Sequence, residues 1–352
     1  MKIGIVTVYK TENCGSYLQA WALKRALERP GREVYFARYR GRTDGVWNFC
    51  VSIMKLCLRF RFETAGYCIR RREGFKKAQG VFQTIDGAGA DLYIYGSDTL
   101  WNFEQEWFRA SSRLFLGQDV KRPKVAYAVS AGSTSRDEFA AVEGIEEALG
   151  DFRAIAVRDE HTLKLVQAVS HRQDIVKALD PTMLLRPADY EELMQGKPTG
   201  DYLFVYYFGR MSDELMTCVS GFARERGLRV VRMGSPDRRF DVNITNAPSS
   251  FLTYFAGAKY VVTNTFHGCV FAILFNKQFV TDGYGKKKVQ DLMESFRLSG
   301  RCLHRASDLN RLLDEKIDYE SVDREIEVRR RESLDYLSRV VEEIANEPQQ
   351  GA

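Results

Sequence analysis

Apolar and polar positions along this chain follow two rhythms. Short apolar runs end in small or polar residues, and between them apolar residues recur every three or four positions. That alternation predicts parallel strands joined by crossover helices. Strands are predicted over Ile3–Val8, Glu33–Tyr39, Leu92–Tyr95, Lys124–Val129, Ala154–Val157 and Ile175–Leu179, the last closed by Asp180-Pro181. A helix over Tyr17–Glu28 carries Tyr17, Leu18, Trp21, Ala22 and Leu27 on or near one face. The pattern loosens between Pro187 and Gly200, where Pro187, Gly196, Lys197, Pro198, Thr199 and Gly200 predict a linker. A second alternation then places strands over Tyr202–Phe208, Arg229–Met233, Tyr260–Val262 and Phe279–Val280. Its helices fall over Leu215–Arg226, Phe251–Ala256 and Gly268–Phe275. A long amphipathic helix ends the pattern, with Val322, Ile326, Leu337, Val340, Val341 and Ile344 near one face.

These elements make an α/β protein of two domains, 1–190 and 200–318, followed by a helix over 319–346 that packs back on the body. At 352 residues the chain is too long for one ordinary core, which agrees with that division. One segment breaks the rhythm. Val46–Phe62 mixes Trp47, Phe49, Ile53, Met54, Leu56, Leu58, Phe60 and Phe62 with Lys55, Arg59 and Arg61, and Arg70-Arg71-Arg72 follows. The commoner fate of such a segment is a helix packed on its domain with a solvated basic face. The alternative is a basic amphipathic helix lying on a membrane.

Composition narrows the class without naming a function. The chain is 45% hydrophobic and 28% charged, as in globular proteins. A net charge of +5 permits an anionic ligand and does not demand one. Basic residues are spread along the chain, which disfavours nucleic acid as a partner. Seven scattered cysteines, none in C-x-x-C spacing, argue against a disulfide framework or zinc site and for a reducing cytoplasm. The N-terminal Met1-Lys2-Ile3-Gly4-Ile5-Val6 reads as a strand rather than a signal peptide. No run approaches the roughly 20 apolar residues of a membrane span. The expected location is therefore cytoplasmic, with peripheral contact at the inner face of the membrane if Val46–Phe62 lies on it.

In an open α/β sheet ligands bind beyond the strand ends, where helix N-termini face the opening. The polar residues there are Asn13, Gly15 and Ser16; Gly96-Ser97-Asp98; Ser130-Ala131-Gly132-Ser133; and Arg158-Asp159-Glu160. The second half offers Gly209-Arg210, Gly234-Ser235, Thr263-Asn264-Thr265-Phe266-His267-Gly268 and Asp282-Gly283-Tyr284-Gly285-Lys286-Lys287-Lys288. Arg158 ends an apolar strand and can fork onto a carboxylate or phosphate, or merely pair with Asp159 or Glu160. His267, one of four histidines, stands at a strand-to-helix break beside Asn264 and Gly268. A lysine following Gly283 and Gly285 can reach a phosphate. No G-x-G-x-x-G, P-loop lysine, G-x-S-x-G elbow or metal-ligand spacing is present.

Several of these segments occur together, and in this order, in one family. Asn13-Cys14-Gly15-Ser16-Tyr17-Leu18-Gln19-Ala20-Trp21-Ala22-Leu23, Gly96-Ser97-Asp98-Thr99-Leu100-Trp101-Asn102, Tyr127–Gly132, Val157-Arg158-Asp159, Leu179–Leu185 and Ala258–Phe275 resemble the polysaccharide pyruvyl transferase family. Thr263-Asn264-Thr265-Phe266-His267-Gly268 is the most diagnostic of them. The chain departs from the family pattern at Thr99, usually glutamine or similar, and at Cys14, usually tyrosine. The resemblance places both on the acceptor side.

The resemblance implies two Rossmann-like domains facing a cleft, as in the GT-B arrangement, the first on the acceptor side and the second on the donor phosphate side. It implies phosphoenolpyruvate as donor substrate, a glycan or lipid-linked oligosaccharide as acceptor, a pyruvate ketal as product, and neither cofactor nor metal. His267 would be the acid and Asp98 the base. Arg158 and Lys288 would neutralise the donor, with Asn13, Gly15, Ser97, Asn264 and Gly268 completing the binding site. Lys286 and Lys287 compete with Lys288 for the phosphate. Phosphoenolpyruvate carries about three negative charges, which suits cations and oriented N–H groups. Two other readings stand beside this one. One is a GT-B-type glycosyltransferase gripping a nucleotide sugar's ribose through Asp291 or Glu294. The other is a non-catalytic glycan-binding relative.

Overall fold

The structure, a computed structural model, describes residues 1–39, 46–86, 89–196, 198–283 and 285–347. Lys197 of the predicted linker and Tyr284 of the glycine-rich run lie outside the described residues.

Two parallel sheets organise the chain. The first is built from β1 (Lys2–Val6), β2 (Glu33–Ala37), β3 (Thr84–Ile85), β4 (Leu92–Tyr95), β5 (Lys124–Val129), β6 (Ala154–Val157) and β7 (Val176–Lys177). Its spatial order is β3-β2-β1-β4-β5-β6-β7. The second contains β8 (Tyr202–Tyr206), β9 (Arg229–Met233), β10 (Val242–Ile244), β11 (Tyr260–Thr263) and β12 (Gln278–Thr281), in the order β10-β9-β8-β11-β12. Helices cover the sheets, so central strands are mostly apolar on both faces rather than alternating; all six residues of β5, Lys124 included, are buried. The strand order reverses between β1 and β4 in one sheet and between β8 and β11 in the other. Crevices open at such reversals.

Most predicted elements are present, with ends moved by capping. The helix expected from Tyr17 starts at Cys14, because Oδ1 of Asn13 accepts from the N–H groups of Gly15 (2.8 Å) and Ser16 (3.4 Å). The helix expected from Gly268 starts at Phe266, since the Thr265 hydroxyl accepts from Gly268 N–H at 2.9 Å. The strand expected over Ile175–Leu179 shortens to an edge pair, Val176–Lys177. Part of the expected linker is a 3₁₀ helix, Pro187–Leu193, anchored by buried Tyr190. Val46–Phe62 is not one element: helices Val46–Leu58 and Phe62–Gln79 form a hairpin around Arg59-Phe60-Arg61.

The last helix, Tyr319–Asn346, returns from the second sheet to the first. Its Ser333 hydroxyl accepts from the N–H of Leu179 at 3.1 Å. Buried Arg330 donates to the carbonyls of Met183 (2.8 Å) and Leu185 (3.2 Å). Val322, Ile326, Leu337, Val340, Val341 and Ile344 are buried along its apolar face, as the periodicity predicts. Among the described residues, no helix is long and apolar enough to cross a membrane.

Arg330 therefore ties the return helix to the strand-end segment after β7. Arg330→Ala leaves two carbonyls without their donor, which costs about 1–3 kcal/mol for buried groups. Urea unfolding should show the midpoint falling with an unchanged slope; an unchanged midpoint would remove the anchor role.

Candidate active site

The loops that leave the two reversal points face each other across a cavity of about 760 Å³. The first domain contributes Lys10, Asn13, Ser16, Asp98, Thr99 and Arg158; the hairpin contributes Phe49, Arg72, Phe75, Lys76 and Gln79. The second domain supplies Phe208, Asn264, Thr265, Phe266, His267, Lys286 and Lys288. Among the described residues, six cations line the cavity (Lys10, Arg72, Lys76, Arg158, Lys286 and Lys288) against two carboxylates, Glu12 and Asp98. Such a balance concentrates anions in the cleft.

At its floor stand Arg158 and His267, with Asp180 buried behind both. Nη1 of Arg158 donates to Oδ2 of Asp180 at 2.9 Å, and Nε2 of His267 lies 3.6 Å from the same oxygen. The other oxygen accepts from the hydroxyl (2.6 Å) and the N–H (3.0 Å) of Thr182. Burial by itself would raise the carboxyl pKa. The His267 imidazole, the Arg158 guanidinium and the Thr182 hydroxyl outweigh it and hold Asp180 well below the usual carboxylate range. The guanidinium lies over the Phe266 ring, 4.4 Å from its centre. Two buried nitrogens at this point, Nε of Arg158 and Nε2 of His267, have no hydrogen-bond partner. Buried polar atoms in that state are uncommon, and the Asp180 carboxylate faces Nε2 at a distance beyond a hydrogen bond.

His267 belongs to the second domain and rests on the helix N-terminus of the first. A Cβ at Gly15 would collide with Nδ1 of the imidazole, so glycine is required for the two domains to approach this closely. Its neighbour Cys14 is fully buried and donates to Oδ1 of Asn246, 2.8 Å away in the second domain; burial pushes the thiol pKa well up. Cys14 thus seals the interface and is not among the cavity-lining residues, whereas Thr99, the other departure from the family pattern, is.

The structure brings Arg158, His267, Asp98, Asn13, Asn264 and Lys288 to one cavity and gives several of them narrower roles than the sequence implied. Arg158 pairs with Asp180, not with Asp159 or Glu160. Asp159 caps the helix Glu160–Ser170 through Thr162, and Glu160 pairs with Lys164 and Lys177. Ser97 is fully buried; its hydroxyl donates to the carbonyl of Ala128 at 2.9 Å and stands 3.5 Å from Asp180. Asn264 spends both ends of its amide on Phe208, accepting at 2.8 Å and donating at 2.9 Å, and so pins the loop after β8. The N–H of Gly268 is taken by Thr265, and Asn13 caps its own helix. Asp98, with φ at +78°, accepts from Thr99 N–H at 2.8 Å.

The three lysines separate. Lys288 is drawn into the cavity, where burial and the neighbouring Arg158 lower its pKa. Lys286 lines the cavity too and donates to the carbonyl of Asn264 at 2.7 Å, while Lys287 is exposed. Asp291 pairs with Lys177 at 3.2 Å and Glu294 is exposed, so neither is placed to grip a ribose in the cavity. Sequence reasoning missed Asp180, although it closes a strand as the chosen residues do. It also missed Lys10, Arg72 and Lys76, which no local pattern distinguishes from surface cations.

Two Rossmann-like domains meeting across such a cleft are the GT-B arrangement, and solved GT-B structures superpose on the chain. A UDP-GlcNAc 2-epimerase from Methanocaldococcus jannaschii aligns with a TM-score of 0.53 at 8% identity, covering 93% of this chain and 99% of its own. A putative UDP-N-acetylglucosamine 2-epimerase from Listeria monocytogenes gives 0.54 at 9%, covering 91% and 90%. At these identities the likeness is one of fold. No curated protein matches the sequence. The family model for polysaccharide pyruvyl transferase matches residues 13–284, and the chain belongs to that family.

The low pKa of Asp180 gives a signed expectation. A carboxylate depressed in the folded state stabilises fully above its unfolded pKa of about 3.9, and that contribution is lost as pH falls toward the folded value. Asp180→Asn leaves a buried guanidinium unpaired and should cost about 3–5 kcal/mol at pH 7. Urea titrations across pH should show the gap to wild type narrowing below about pH 4. A gap independent of pH would mean that the charge of Asp180 is not what holds the site.

Proposed function

We propose that this chain transfers the enolpyruvyl group of phosphoenolpyruvate to a sugar of a bacterial surface polysaccharide, or of its lipid-linked precursor, forming a pyruvate ketal. The observation that carries the reading is the cavity floor, where Arg158 from one domain and His267 from the other meet over buried Asp180 and Lys288 lines the same cavity. A donor with a carboxylate and a phosphate suits cations supplied from both domains.

The chemistry balances within the residues present. Protonation of the donor's methylene makes a methyl group and leaves the adjoining carbon electron-poor. One sugar hydroxyl adds there, phosphate departs, and the second hydroxyl closes the ketal. Of the two hydroxyl hydrogens, one is matched by the hydrogen gained in the methyl group and the other leaves with phosphate. His267 is the acid for the methylene, its imidazole standing beside the buried Asp180 carboxylate. Asp98 takes the proton of the attacking hydroxyl. Arg158 and Lys288 neutralise the carboxylate and phosphate. Asp180 acts through the other two and is a positioning residue.

His267→Ala should fold normally and lower phosphate release, in the presence of a sugar acceptor, by at least about 100-fold. Near-normal release would take the histidine out of the mechanism. Phosphoenolpyruvate should raise the melting temperature of the wild-type protein, and Lys288→Ala should diminish the rise. Stabilisation by UDP-sugars with none by phosphoenolpyruvate would favour nucleotide-sugar chemistry instead.

A further inference from the structure

The hairpin that walls the cavity has a second, outward face. Along the helix Val46–Leu58, Trp47, Met54 and Leu58 recur at helical spacing and are 78%, 55% and 72% exposed. The turn adds Phe60 at 83% and Phe62 at 61% exposure. Their rings meet edge to face, 6.2 Å apart. Phe60 has φ at +56°, a conformation natural to glycine and strained for a bulky side chain. A large aromatic held at an exposed tip in that conformation points to use of the side chain. Exposed apolar residues gathered this way mark an interaction surface rather than ordinary scatter.

Charge selects the partner. Between Val46 and Phe62 the sequence holds Lys55, Arg59 and Arg61 and no aspartate or glutamate, and one exposed carboxylate, Glu63, follows the tip, so the cations remain in excess there. All three cations are exposed around the aromatic tip. A second copy of the chain, meeting this face about a two-fold axis, would set these cations against their own kind. An anionic bilayer complements both features: aromatic and aliphatic side chains enter the headgroup boundary, and basic side chains meet the phosphates.

We infer that the tip and outer face of the hairpin dock on a membrane surface rich in anionic phospholipid. The same hairpin contributes Phe49, Arg72, Phe75 and Lys76 to the cavity wall. Docking therefore brings the cleft to the bilayer, where a lipid-linked acceptor is held. The inference uses the hairpin alone, and it can fail while the donor chemistry stands, or stand while that fails.

Co-sedimentation of the full chain with phosphatidylcholine vesicles, with and without phosphatidylglycerol, tests it. Binding should appear with phosphatidylglycerol and weaken with added salt. The double variant Leu58→Asp/Phe60→Asp should abolish it. Arg59→Gln/Arg61→Gln should weaken it by roughly fivefold per charge removed. Trp21 and Trp101 are buried and Trp107 lines the cavity, so a blue shift of tryptophan emission on vesicle addition should come from Trp47 and be lost in Trp47→Phe. None of the substituted side chains lines the cavity, so circular dichroism and phosphate release with a soluble acceptor should be unchanged. Failure to bind anionic vesicles would overturn the proposal. So would concentration-dependent dimerisation abolished by the same variants, because a second copy would then own the face.

Discussion

A buried carboxylate organises this molecule. Asp180 lies just beyond the two-residue edge strand β7, capping the turn Pro181–Met183, yet it holds the Arg158 guanidinium and faces the imidazole of His267, which arrives from the second sheet. Burial opposes its charge. The His267 imidazole, the Arg158 guanidinium and the Thr182 hydroxyl reverse that penalty, and the carboxyl stays ionised. The cost of burying a lone charge is what makes the arrangement interdependent: withdraw one partner, and the carboxylate is left under-compensated. The glycine at position 15 belongs to the same constraint, because any side chain would push the imidazole out of reach.

From this centre outward, each layer serves the cleft. The two sheets reverse strand order at the points from which the loops of Asn13, Asp98, Phe208 and Asn264 emerge, so both crevices open toward one space. Thr265 and Asn264 consume their hydrogen-bonding capacity in fixing the His267 turn. The return helix braces the segment after Asp180 through Arg330 and Ser333. The hairpin after β2 adds cations on its inner side and exposes its aromatic tip outward. Hydrogen-bonded support thus lies behind the cleft, and the side chains that line it stand on loops at the strand ends.

Much of this was legible from local pattern. The two alternations, the central strands β4, β5, β6 and β9 with their observed ends, the apolar face of the last helix and the strand-end positions of Arg158 and His267 all follow from apolar runs and breaks. Those signals are local because a buried parallel strand needs apolar side chains on both faces whatever its neighbours are. Element ends moved where a capping side chain, Asn13 or Thr265, outweighed the periodicity. The hairpin was read as one segment because its turn contains phenylalanine and arginine rather than glycine or proline.

What the chain's own pattern determined is a two-sheet α/β architecture and the turns at which chemistry stands. What only tertiary structure decided is partnership: that Arg158 pairs with Asp180 rather than its sequence neighbours, that Ser97 and Cys14 face inward, and that Lys288, not Lys287, enters the cavity. The reason is physical. A strand's preference is written in its own residues, whereas the state of a charged group depends on burial and on partners distant in the sequence, brought together only by the folding of each sheet and by the meeting of the two.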